Sequence, residues 1–168
     1  PVLDCAELHF LHLQYIDPAR TASKQRWYQC YERLRQPETS PVRLFDQYHH
    51  MHAIRPEQLR PVPAGWLAPY REAGIDLLRA DPPADGLYYW DPLVLEIFRE
   101  HGLALFARDC LWDGWPETAR RLGAPPELAR DPRSFGQRLA HRLLQRTNRP
   151  KKKLLGRLTR SVLKRSGW

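Results

Sequence analysis

A capping side chain followed by proline opens a segment four times in this chain, at Asp17-Pro18, Ser40-Pro41, Asp91-Pro92 and Asp131-Pro132, while a fifth pair, Asp81-Pro82, begins a turn-rich connection. Asp and Ser accept the unpaired N–H groups at a helix start. Proline costs nothing at the first helical position, where its missing N–H had no partner. The pattern predicts a mainly α chain with one or two short β-strands.

The first such helix runs from Asp17 to about Gln36, where Pro37 stops it. Before it, residues 6–16 alternate well enough for a strand. Ser40-Pro41 starts a second helix, with Leu44, Phe45, Tyr48 and Met51 apolar and Pro56 ending it. Pro61, Pro63 and Gly65 mark a loop before a short helix around Trp66–Tyr70, closed by Gly74. The helix behind Asp91-Pro92 carries Leu93, Val94, Ile97 and Phe98 and ends at Gly102. Leu103–Phe106 reads as a short strand. A further helix follows Trp112, Trp115 and Pro116 and ends near Gly123.

On a helical wheel, Arg20, Lys24, Trp27, Tyr31 and Leu34 share one stripe of the first helix. The stripe is charged at its start and apolar at its end, so Arg20 and Lys24 are expected to face the side that the aromatics bury. A strand that ends near His12 and leads into such a helix is one way to hold an anion. Helix starts carry free N–H groups and a partial positive charge, and arginine adds a bidentate fork. His12 is either a ligand for a divalent ion bridging a diphosphate or, as a lone histidine, a structural residue.

The net charge of +8 is unevenly placed. Residues 133–168 hold twelve Lys/Arg and no Asp/Glu, which leaves 15 basic against 19 acidic residues in 1–132. The chain therefore divides at about 130. Residues 1–130 form a weakly acidic body and 131–168 a basic amphipathic helical tail. Arg142, Arg146, Lys151, Lys152, Lys153, Arg157, Arg160, Lys164 and Arg165 alternate there with Leu and Val at helical spacing. That suits an anionic membrane surface. The same charges would also bind RNA or DNA, but aromatics for base stacking are absent between 136 and 167, which disfavours nucleic acid. A solvated tail without structure is the plain alternative.

Cys5, Cys30 and Cys110 are too few and too far apart for a disulfide framework or a metal knuckle, and read as buried free thiols of a reducing, cytoplasmic setting. His49, His50 and His52 form a polar helix face without a partner at metal-like spacing. Asp109 and Asp113 are either a carboxylate pair or turn residues. No P-loop, G-x-G-x-x-G, G-x-S-x-G or H-E-x-x-H is present, and no catalytic base can be named. No run reaches the roughly 18 apolar residues of a membrane span.

The run from His12 through Arg20, Lys24, Trp27 and Tyr28 to Arg33 resembles the C-terminal region of bacterial glycosyltransferase family 2 proteins. There a strand with an H-L-Q-like triplet leads into an R-x-x-x-K-x-x-W-Y helix. V62-P-A-G-W66, W90-D-P-L-V-L-E-I-F and L111-W-D-G-W115 are also similar to that group, so the resemblance covers roughly residues 6–116. It implies the C-terminal helical part of an α/β, GT-A-type enzyme that uses a nucleotide-sugar donor and Mn²⁺ or Mg²⁺. In that family a late histidine often completes the metal site, and His12 matches its placement. Arg20 and Lys24 match positions facing the donor diphosphate, and Trp27 and Tyr28 line the site or pack beside it.

The family's D-x-D and its nucleotide-binding half are not in these residues. The chain is therefore expected to be the C-terminal part of a longer protein and inactive without that half. The acceptor implied is a cell-envelope glycan or lipid-linked sugar at the inner face of the membrane. The competing expectation is a non-enzymatic helical adaptor that binds anionic membrane or nucleic acid through the tail.

Overall fold

The computed structural model describes residues 17–49, 60–77, 83–148 and 153–168. Among them the chain is mainly helical and contains no strand. The helices are α1 (Pro18–Arg35), α2 (Pro41–Tyr48), α3 (Ala64–Glu72), α4 (Trp90–His101), α5 (Trp115–Arg121), α6 (Phe135–Thr147) and α7 (Lys153–Arg165), with a 3-10 helix at Leu103–Phe106 between α4 and α5. The expected strand at 6–16 lies outside the described residues.

Two helices begin as the sequence dictates. The Asp17 carboxylate accepts from the amides of Ala19 (2.9 Å) and Arg20 (3.0 Å), and Ser40 caps α2 through the Arg43 amide at 3.2 Å. The other two cap-plus-proline signals mean something else. α4 starts at Trp90 without a side-chain cap. Asp91 is buried instead, with its carboxylate accepting from the Tyr88 amide at 2.8 Å and from α1. α6 is capped by Ser134 in a reciprocal box with Gln137, while Asp131 forks with Arg133. In both cases the carboxylate also takes an arginine, Arg26 for Asp91 and Arg133 for Asp131, so it serves a tertiary or local ion pair rather than a plain helix cap.

α2 is shorter than expected, ending at Tyr48 with His49 as its C-cap. Of the three clustered histidines, His50 and His52 fall outside the described residues, and the His49 ring stacks on Phe45 at 4.9 Å. α3 begins earlier than expected and relaxes at Gly74, whose φ of +74° suits glycine.

The expected strand at Leu103–Phe106 is a 3-10 turn. A short apolar run does not reveal its own period. Here Leu103 and Phe106 are buried while Ala104 and Leu105 are exposed, the i, i+3 alignment of a 3-10 helix.

α1 packs along α4, and α4 meets α5. Between them Phe98 sits among aromatics, stacked on Trp112 (5.1 Å) and edge-on to Trp115 (4.9 Å). Both indole N–H groups donate to carbonyls, Trp112 to Phe106 (3.1 Å) and Trp115 to Leu128 (2.8 Å), so the rings are buried without an orphaned donor. A second, smaller core joins Val42 and Phe45 of α2 to Cys110 and Leu144, with Leu163 and Trp168 against it. α6 and α7 pack on each other, and α7 also meets α2.

Candidate functional site

α1 divides into an inward face of polar residues and an outward face of cations and rings. Ser23, Arg26, Cys30 and Arg33 are buried, whereas Arg20 and Tyr31 are exposed and Lys24, Trp27 and Leu34 are half-buried. The expected burial of the Arg20–Tyr31 stripe is therefore displaced around the helix. A wheel treats arginine as solvent-facing, and this helix turns two arginines inward. They can be buried because each finds a carboxylate and several carbonyls.

Arg26 donates Nε–H to the Leu111 carbonyl (3.0 Å) and Nη2–H to that of Asp113 (3.0 Å), and pairs with Asp91 at 3.3 Å. Ser23 donates to the same Asp91 oxygen at 2.8 Å. Arg33 binds both oxygens of Asp109 and donates to the carbonyls of Pro37 (2.7 Å) and Thr39 (2.8 Å). Burial raises the Asp109 carboxyl above its ordinary range, and the Arg33 fork opposes that rise. Asp113 is exposed and accepts from Gln145 (2.8 Å) and Arg133 (3.3 Å). The two aspartates thus serve separate cations and need no shared chemistry to explain them.

On the outward side, the Arg20 guanidinium lies 5.4 Å and the Lys24 ammonium 5.8 Å from the centre of the Trp90 ring, and Lys24 is also 5.6 Å from that of Tyr28. The indole holds two cations one helical turn apart, within the range of cation–π attraction. The Tyr88 hydroxyl donates to Asp17 at 2.7 Å. Slight burial raises the Asp17 carboxyl, but the Arg20 amide, Tyr88 and the Ala19 amide outweigh it and hold the group below its ordinary value. Burial and the Asp17 contact push the Tyr88 hydroxyl up to about 12. The first amides of α1 are thus already satisfied by Asp17. An anion approaching here would meet the side chains of Arg20 and Lys24 rather than free backbone donors.

Trp27 stacks on Tyr31 at 5.4 Å and meets Tyr28 edge-on at 5.1 Å, while Tyr28 stacks on Tyr48 at 6.0 Å. Trp27 also packs against the main core, so of the two aromatics expected at the site it is Tyr28 that meets a cation. His12 lies outside the described residues. Among the described residues no group of three or more His, Cys, Asp or Glu side chains is placed to hold a metal ion. These residues do not by themselves fit the divalent cation.

A cleft of about 690 Å³ beside Leu103, Leu128 and Gln137, and another of about 460 Å³ beside Ser40, Arg108 and Trp168, are not lined by Arg20 or Lys24. Arg20 is exposed and Lys24 half-buried. Cys30 and Cys110 are free and buried. Burial raises both thiols, Cys110 to about 12, which leaves them poor nucleophiles.

Of the basic residues expected in the tail, Arg142, Arg146, Arg157, Lys164 and Arg165 are exposed and Arg160 is half-buried. Arg160 forks onto Asp46 of α2 (2.8 and 2.5 Å) and donates to Asn148 at 3.1 Å. Lys153 opens α7, and Lys151 and Lys152 are outside the described residues. None of the described helices is long and apolar enough to cross a membrane.

Sequence reading missed Trp90, Asp91, Arg26 and Arg33. The signal for the arginines was their spacing of seven with Cys30 between them, a small apolar residue that places both on one face. Asp91 was hidden by its resemblance to a cap. No protein-family model, curated protein or solved structure matches the chain.

Proposed function

We propose that this chain is the C-terminal, mainly helical part of a nucleotide-sugar-dependent glycosyltransferase of the GT-A type, acting on a cell-envelope glycan or lipid-linked acceptor. The observation that supports it is the pair of cations, Arg20 and Lys24, held one turn apart over Trp90 near the start of α1. Two positive charges one turn apart suit a diphosphate, whose charge grows as the sugar leaves, although the Asp17 carboxylate lies close to Arg20. The pairs Arg26–Asp91 and Arg33–Asp109 hold α1 in place so that the outer face is presented in one orientation. His12, outside the described residues, is the candidate ligand in this sequence for the divalent cation that such an enzyme would use.

The reading is tested first by the reading frame upstream of His12. A D-x-D behind alternating strands and helices is expected there, and an upstream region without both overturns it. In the longer protein, Arg20→Gln and Lys24→Gln are each expected to raise the donor KM by about tenfold while the acceptor KM stays put. An unaltered donor KM in both variants would remove these residues from the site.

A further inference from the structure

α7 is an amphipathic helix mounted the wrong way round for a water-soluble surface. Its contact side is made of Gly156, which is buried, with Thr159, Arg160 and Leu163 half-buried beside it. Gly156 lies so close to α6 that an added Cβ would stand 2.8 Å from the Thr147 carbonyl oxygen. At 3.6 residues per turn, Leu154, Leu158 and Val162 fall on the side opposite Gly156, and Leu155 beside them. They are 72, 56, 64 and 50% exposed.

A docked helix ordinarily turns its leucines inward. Here a glycine, a threonine, an arginine and only one leucine, Leu163, make the contact, and the other apolar residues face out. Arg157 and Lys164 flank the stripe and Arg165 ends it at the C-terminus of the helix, all exposed. On α6, Phe135, Leu139 and Leu143 are exposed as well, at 75, 47 and 41%, beside Arg142 and Arg146.

We infer that the outward face of α7 is a membrane-docking surface that lies in the headgroup layer of an anionic bilayer, with Leu154, Leu158 and Val162 inserted and Arg157, Lys164 and Arg165 on lipid phosphates. Charge decides between occupants. Residues 133–168 contain twelve basic and no acidic side chains. A second copy seated on this face would bring two wholly basic rims together, whereas anionic headgroups neutralise them. A nucleic acid would take the charges but would leave four large apolar side chains without a partner, and α7 offers no aromatic ring for base stacking. The inference is independent of the donor-binding reading of α1.

The mounting gives the surface a fixed bearing. Arg160 clamps α7 to Asp46 of α2, and Leu163 packs into the α2–α6 core. The helix therefore meets the membrane as part of the folded body rather than as a free tail.

The experiment is sedimentation of the full chain with vesicles of phosphatidylcholine alone and of phosphatidylcholine with phosphatidylglycerol. Binding to the anionic vesicles is expected, weakened by salt. The double variant Leu158→Glu/Val162→Glu removes only exposed side chains. It is expected to keep its circular dichroism and melting profile and to lose anionic-vesicle binding by on the order of tenfold or more. Arg157→Gln, Lys164→Gln and Arg165→Gln are each expected to cost about fivefold on anionic vesicles. Failure of the wild-type chain to bind anionic vesicles would overturn the inference. So would undiminished binding by the folded double glutamate variant. An RNA oligonucleotide that binds more tightly than the vesicles, and equally to both proteins, would reassign the charges to nucleic acid. A wild-type dimer that the double variant dissolves would reassign the face to a second copy.

Discussion

The Arg33 guanidinium grips both oxygens of Asp109, at 2.8 and 2.5 Å, with the carboxylate wholly buried. The remaining guanidinium N–H groups go to the carbonyls of Pro37 and Thr39, so this pair fastens the α1–α2 turn to the segment after the 3-10 helix. Breaking a buried pair strands the surviving charge and costs about 3–5 kcal/mol. Asp109→Ala is expected to lose stability on that scale in urea unfolding. Arg33→Met/Asp109→Leu should recover much of the loss, because neither charge is then left alone. A double variant no more stable than the single one would show that the carbonyl contacts of Arg33 dominate.

Gly156 predicts a steric effect. A methyl group at that position meets the Thr147 backbone first and the Arg160 guanidinium next, and since backbone cannot swing aside, α6 and α7 must separate. Gly156→Ala should lower stability by about 1–3 kcal/mol despite alanine's better helix propensity. Hydrogen exchange should locate the loosening at the α6–α7 contact. Exchange unchanged there would mean that the helices slide without cost.

His141 gives the fold a pH dependence. Its Nε2 lies 2.9 Å from the Arg108 carbonyl, which only accepts, so Nε2 carries the proton and Nδ1 accepts from Arg133 at 2.9 Å. The neutral ring is the form that suits both partners. Burial is the main force depressing its pKa below 6.5, and the Arg133 charge adds to it. The Arg108 carbonyl and the charges of Asp113 and Asp131 oppose the shift. Below pH 6.5 the unfolded chain takes up a proton that the native state refuses. Stability should therefore fall as the pH drops below 6.5, with a slope contribution of up to about 1.4 kcal/mol per unit from this group. His141→Gln should remove that part of the slope. An unchanged slope would assign the acid sensitivity to other groups.

The two buried thiols should be silent in the native protein. Iodoacetamide at neutral pH is expected to leave Cys30 and Cys110 unmodified by peptide mass spectrometry until denaturant is added. Rapid native labelling of either would show that its helix opens readily.

Asp17→Ala should cost about 1 kcal/mol, since two amides of α1 and the Tyr88 hydroxyl lose their acceptor together. Thermal melting of the variant measures it. The titration of Tyr88 should also move down toward its ordinary value, which absorbance at alkaline pH would follow.

Local rules were legible wherever one residue's chemistry decided the outcome. The starts of α1 and α2 and the glycine breaks at Gly74, Gly102 and Gly123 follow from capping and from positive φ. What could not be read depended on partners far along the chain. Asp91 looks like a cap until Arg26, 65 residues earlier, is seen to claim it. The inward face of α1 looks like an exposed one because arginine is scored by its charge and not by its satisfied bonds. The amphipathic pattern of α7 was legible in sequence, but that the helix docks through Gly156 against Thr147 with its apolar stripe turned outward was not. The cation pair over Trp90 was half legible, since Arg20 and Lys24 could be placed on one face but their aromatic platform on another helix could not.

The Arg26 bonds to Asp91, Leu111 and Asp113 span 65, 85 and 87 residues of chain. Contacts of that separation form only after long loops have closed, so they slow folding and tie it to the chain that follows. α1 is made before its partners and has no settled seat until the segment through Asp113 has followed. Its final placement is a late and cooperative event, and a nascent chain halted before residue 90 would hold neither Asp91 nor Asp109 to meet the two arginines of the helix that presents Arg20 and Lys24.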